Sequence, residues 1–292
     1  MKITELFERG EFVVSAEVGP PNGFHVEHLL EEAKTYLSDI TAVNVTDNQS
    51  SVMRLGSLAM CKALKDEGLT PIYQLTCRDR NRIALQSDLL SAAMFGIENL
   101  LLLTGDHTKL GDHPQAKPVF DLDSVSLIHA VTRLESGVDL GGNELVGEPP
   151  KFAKGAVVSP CSDSVDAQLA KMERKVRAGA DYFQTQAVFE PEKFIKFMEK
   201  AKEFGKPVQV GIIIPKSAGM AKFMNNNVAG IHVPDEMIEE LAKDKERTKA
   251  GITGVEIAAR IIKECRPYCQ GVHIMALGWE SKVPELLKQA GI

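Results

Sequence analysis

The 292-residue chain is short of several things, and each shortage narrows what it can do. It has no block of basic residues and a net charge of −6, so nucleic acid is not an expected partner. Its longest unbroken apolar runs are only a few residues, far below the roughly 20 that span a bilayer. Residues 1–10 mix Lys, Glu and Arg and form no apolar signal core, so a cytoplasmic location is the default expectation. The five cysteines, Cys61, Cys77, Cys161, Cys265 and Cys269, are odd in number and scattered, which argues against a disulfide framework. Cys265 and Cys269 alone are too few for a metal, which takes about four ligands. No G-x-G-x-x-G or P-loop pattern occurs, so a nucleotide fold announced by its first turn is not expected.

What is present is a recurring strand grammar. Leu100–Leu103 is a short apolar run that stops at Thr104, Gly105 and Asp106. Such a run reads as a strand buried on both faces of a parallel sheet. Similar runs are Phe12–Val18, Ala42–Asp47, Ile72–Cys77, Asn99–Thr104, Ala156–Ser159, Tyr182–Val188, Val208–Ile214 and Val272–Leu277. Helical spacings lie between them. Val165, Leu169, Met172 and Val176 share one face of a helix that Gly179 ends, and Pro191 opens another with Phe194, Phe197, Met198 and Ala201 inward. Eight strand-then-helix units in one chain predict a single (β/α)8 TIM barrel over residues 1–292, class α/β, with a doubly wound open sheet as the alternative. Two long loops stand out. Residues 105–122 would lie at the catalytic end, and residues 137–153 at the opposite end.

The strand ends carry polar residues: Glu17, Thr46 and Asp47, Gln74 and Thr76, Asp106, Ser159 and Gln186. In a barrel they converge on one mouth, which is how barrel enzymes assemble sites from distant sequence. Glu17 and Asp106 stand out because each follows an apolar strand and is flanked by small or turn-forming residues. Two carboxylates there point to acid–base work or to stabilisation of a cation. Gln186 can both donate and accept, as a reader of an amide-rich ring does. The residues alone reach an acidic barrel mouth for a polar organic substrate and give no cofactor.

Several segments carry a family likeness: Ser15–Pro21, Val43–Thr46, Leu75–Cys77, Thr104–Asp106, Arg174–Ala180 and Thr185–Gln186. In order and spacing the chain resembles the methylenetetrahydrofolate reductases over nearly its whole length, with a flavour closest to the versions of anaerobic, acetogen-like bacteria. The resemblance implies FAD at the barrel mouth and reduction of methylenetetrahydrofolate to 5-methyltetrahydrofolate. It implies that Glu17 is the general acid and that Asp106 contacts the pterin near the flavin. Gln186 and Phe223 would contact substrate. Thr46, Gln74, Thr76, Phe120, Asp121, Leu122 and Lys175 match positions along the flavin, with Lys175 at its phosphates. An oligomer is implied as well.

The chain also departs from the family pattern. The family often carries His at the position of Gln74 and Arg at that of Thr104. It carries Tyr and His or Glu around the fifth strand, where this chain has Gly155, Ser159 and Cys161, and Arg in some members where it has Trp279. These departures imply a changed grip on the flavin, with FMN as the alternative to FAD. They leave two electron sources: NAD(P)H, or a cysteine-rich iron–sulfur partner subunit. The competing readings are a flavin-free pterin-binding methyltransferase barrel, a Schiff-base aldolase using Lys216, and a folate- or flavin-binding subunit inactive without its partner.

Overall fold

Eight strands pair side by side in sequence order, every pairing parallel, and the eighth closes on the first. They are β1 (Val13–Val18), β2 (Ala42–Val45), β3 (Pro71–Thr76), β4 (Asn99–Leu103), β5 (Ala153–Val158), β6 (Tyr182–Ala187), β7 (Val208–Ile213) and β8 (Gly271–Met275). With helices between successive strands this is a (β/α)8 barrel. The computed structural model describes residues 1–228 and 230–292.

The predicted helices form where the apolar spacing placed them. Gly179 caps Val165–Ala178 at φ +113°, a left-handed conformation that glycine adopts without strain. Pro191 begins Pro191–Ala201, which buries Phe194, Phe197, Met198 and Ala201 against the barrel. Full burial of such side chains contributes on the order of 1.5–3 kcal/mol each before the entropy cost of ordering them.

β5 begins at Ala153, three residues ahead of the apolar run Ala156–Ser159. Lys154 and Gly155 hide the strand start from a hydrophobicity reading. Lys154 is buried because its ammonium reaches Glu135 at 2.6 Å and Asp181 at 3.2 Å. Gly155 is required by a close approach: a Cβ there would meet the hydroxyl of Tyr182 at 2.5 Å and the carbonyl of Leu100 at 2.6 Å.

The end of the barrel away from the strand C-termini is closed. The short N-terminal helix Ile3–Glu8 packs Ile3 and Leu6 onto a cluster with Val13, Ala42, Ile72, Leu101, Ala153 and Tyr182. Above that plug the interior turns polar. Ser15, Asn44, Gln184 and Gln209 fill the centre in place of the branched aliphatic residues common in such barrels, all at 1% exposure or less. Alternation along the strands then raises Glu17, Gln186 and His273 towards the open end.

Candidate active site

A cavity of about 310 Å³ opens at the C-terminal mouth, and both Glu17 and Asp106 line it. Glu17 lies in β1 and Asp106 just after β4, strands that are not neighbours in the barrel, so the cavity spans the mouth between them. Glu17 is 8% exposed, while Asp106 stands exposed at the rim. Leu101, Leu103, Val157 and Met275 give the cavity apolar walls, and Gln74, Thr76, Gln184 and Gln186 give it polar groups.

Glu17 sits between two side-chain amides and an imidazole. Gln49 Nε2 donates to its Oε1 at 2.9 Å, Gln74 Nε2 to its Oε2 at 3.4 Å, and His273 Nε2 lies 3.6 Å from Oε2. Gln49 arrives on a strained loop. Asn48, Ser50 and Ser51 all have positive φ, at 45°, 56° and 62°. Such conformations cost of order 1 kcal/mol or more each and persist where surrounding structure enforces them.

The neighbouring loops are pinned by buried charge. Asp47 accepts from Thr76 N at 2.9 Å, from Thr76 Oγ1 at 2.8 Å, and from Arg80 at 2.8 and 3.2 Å. Arg78, 2% exposed, forks onto Asp79 and also reaches the carbonyls of Asn48 at 3.2 Å and Asp106 at 3.5 Å. Gly105, at φ +91°, lets the Asp106 loop pass over Arg78 and Thr76, whose Cβ atoms lie 3.1 Å from where a Cβ of its own would stand. Burial pushes the Cys77 thiol up to about 12, so it is no nucleophile.

A second cavity of about 300 Å³ adjoins the mouth and shares Leu103, Thr104 and Val157 with it. Lys171, Arg174 and Lys175 line it, with Ser124, Ser159 and Gln168. Lys175 Nζ donates to Val157 O at 2.6 Å, and burial lowers its ammonium to about 8, with Lys171 acting in the same direction. Three cations crowded at one cleft are suited to a phosphate. A polar-and-apolar ring lobe joined to a cationic lobe therefore fits a flavin carrying an anionic linker.

Glu17, Asp106, Gln186, Gln74 and Thr76 come together at the mouth, and Lys175 lies in the adjoining cleft. The others do not line either cavity. Thr46 is buried, with its amide bonded to Val18 O. Leu122 joins the hydrophobic core. Asp121 is forked onto Arg82 at 2.8 and 2.9 Å. Phe120 holds φ +42° beside His107. Phe223, on the helix Ala218–Asn227, is 61% exposed. Lys216 caps the carbonyl of Leu277 and lies over Trp279, outside the mouth.

Three residues at the mouth escape a reading of strand ends alone: Gln49, Arg78 and His273. His273 was the most legible, as an imidazole inside the otherwise apolar run Val272–Leu277. Arg78 opens the charged triplet Arg78-Asp79-Arg80, with Cys77 between it and the end of β3. Gln49 had no signal of its own.

Fold and mouth together define a (β/α)8 barrel with a carboxylate-bearing cavity at the C-terminal ends of its strands. The chain belongs to the methylenetetrahydrofolate reductase family, whose sequence profile matches residues 2–291. It is 28% identical over 262 residues to methylenetetrahydrofolate reductase 2 of Schizosaccharomyces pombe, covering 81% of this chain and 38% of that longer protein. It is 27% identical over 263 residues to the 5,10-methylenetetrahydrofolate reductase of Salmonella typhimurium, covering 87% and 82%. Among solved structures, a Clostridium thermocellum protein described as binding two copies of 5-methyl-5,6,7,8-tetrahydrofolic acid superposes with a TM-score of 0.66 at 14% identity. That match covers 99% of this chain and 98% of the other. An oxaloacetate acetylhydrolase superposes with a TM-score of 0.54 at 12% identity, over 99% and 83%. At such identities these two likenesses show the fold alone.

Proposed function

We propose that this chain reduces 5,10-methylenetetrahydrofolate to 5-methyltetrahydrofolate at the barrel mouth, with a bound flavin. The observation that carries the reading is the sharing of one cavity by Glu17 and Asp106 in a chain of this family. The sequence relatives named 5,10-methylenetetrahydrofolate reductase support the substrate class.

A flavin bound at the mouth supplies the hydride. Glu17 gives a proton to N10 of the folate, so that the five-membered ring opens to a 5-iminium cation. Asp106, held at the rim by its loop, lends that cation a negative charge. Gln186 presents an amide to the pterin edge. The apolar walls Leu101, Leu103, Val157 and Met275 keep water from the ring. Lys175, Lys171 and Arg174 are the residues that would hold a flavin phosphate, of FAD or, as the alternative, FMN.

The electron source in this reading is an iron–sulfur partner, with NAD(P)H as the alternative. What supports it is the set of departures that the resemblance implies, at Gln74, Thr104 and Trp279 among others. The test is addition of FAD or FMN to the purified chain, followed by absorbance. Reduction is then attempted with NADH and with an artificial donor. Tight FAD binding and reduction by the artificial donor alone are expected. A protein that takes up neither flavin contradicts the reading, and rapid reduction by NADH overturns the partner.

A further inference from the structure

The polar layer under Glu17 holds a hydrogen-bond chain that ends on His273, a residue the proposed reaction has not used. Gln209 Nε2 lies 3.3 Å from Val13 O and 3.2 Å from Val272 O. Backbone carbonyls only accept, so the amide cannot be turned the other way. Its Oε1 must then face Gln184 Nε2, at 3.1 Å. Gln184 in turn exchanges two hydrogen bonds with Asn44, at 2.9 and 3.1 Å. Orientation thus passes from the backbone through both glutamines.

Both glutamine nitrogens also meet Ser15 Oγ, at 3.1 Å from Gln209 and 3.3 Å from Gln184. An NH2 group cannot accept. The third neighbour of Ser15 Oγ is His273 Nδ1, at 3.2 Å. Ser15 is fully buried, and its hydroxyl hydrogen therefore has one acceptor, Nδ1 of His273. A protonated Nδ1 would strand that hydrogen in a dry interior. The arrangement is satisfied when Nδ1 is bare and the ring hydrogen is on Nε2, which lies 3.6 Å from Glu17 Oε2.

We propose that Ser15 and His273 are a positioning pair that keeps a neutral N–H donor, not an imidazolium, against Glu17. This rests on Glu17 as the proton donor to folate. An imidazolium at that spot would hold Glu17 as its anion. The neutral ring leaves the carboxyl free to carry a proton and then donates to the carboxylate formed when the proton has gone. Gln49 and Gln74 complete the arrangement from the other side. Their side-chain amides make no other hydrogen bond to the described residues, so each can rotate to accept from a carboxyl or donate to a carboxylate.

The test is long-range proton–nitrogen NMR of protein labelled with 15N-histidine, with His273 assigned by the signal that His273→Gln removes. An unprotonated Nδ1 and a protonated Nε2 at pH 7 are expected; a protonated Nδ1 overturns the proposal. In flavin-loaded enzyme, His273→Gln retains a side-chain N–H and keeps the folate half-reaction. His273→Leu lowers its kcat by about tenfold with KM and flavin reduction unchanged. Equal impairment by Gln and Leu, or none by Leu, overturns the pair's role. Normal folate reduction by Glu17→Gln instead removes the acid assignment and leaves the tautomer result standing.

Discussion

The guanidinium of Arg78 joins the two halves of the mouth, reaching Asp106 O at 3.5 Å with one nitrogen and Asn48 O at 3.2 Å with the other. The first contact steadies the loop that carries Asp106. The second braces the strained loop that brings Gln49 to Glu17. Arg78→Met should therefore loosen both carboxylate surroundings at once. Because Asp79 is 35% exposed and part-solvated, the stability loss is expected at about 2 kcal/mol, below that of a fully buried pair. Arg78→Lys should fail to restore folate affinity, since an ammonium lacks the planar fork. Urea titration and 5-methyltetrahydrofolate binding measure the two effects.

Gly155 makes a different kind of prediction, confined to the fold. An added methyl group collides with Tyr182, whose hydroxyl donates to Leu100 O at 2.8 Å, and with that carbonyl itself. Neither can move without opening the β4–β5 seam. Gly155→Ala is expected to cost about 1–3 kcal/mol, as overpacked cores do, and to lower the denaturant midpoint. An unchanged midpoint would show that the seam is looser than described.

Lys175 sets a pH dependence. Its ammonium is lowered to about 8 by burial and the neighbouring Lys171, below the unfolded value. Between about pH 8 and the ordinary lysine value the unfolded chain holds the extra proton, so this group's contribution makes stability rise with pH across that window. A bound phosphate favours the charged form and reverses the trend for binding. Flavin affinity should begin to fall as pH passes about 8, and Lys175→Met should flatten that fall, as read by flavin fluorescence across pH.

The barrel was legible because each of its strands contains an apolar run, and because Gly179 and Pro191 mark helix ends by backbone geometry alone. The start of β5 was not, since a buried lysine paired with Glu135 and Asp181 looks like a surface lysine in sequence. The mouth was legible where polar residues end strands, as at Glu17, Gln74, Thr76, Asp106 and Gln186. It was illegible where the loop path decides. Gln49 reaches Glu17 only because Asn48, Ser50 and Ser51 accept left-handed conformations. Asp121 meets Arg82 rather than the cavity because the loop after β4 folds back onto the start of the helix Arg82–Met94.

The central claim is that Glu17 delivers the proton that opens the folate ring. The most direct measurement is stopped-flow separation of the two half-reactions in Glu17→Gln enzyme loaded with flavin. The account predicts that the flavin is reduced at the wild-type rate, while its reoxidation by methylenetetrahydrofolate is slowed by at least about a hundredfold. Reoxidation at the wild-type rate would contradict it.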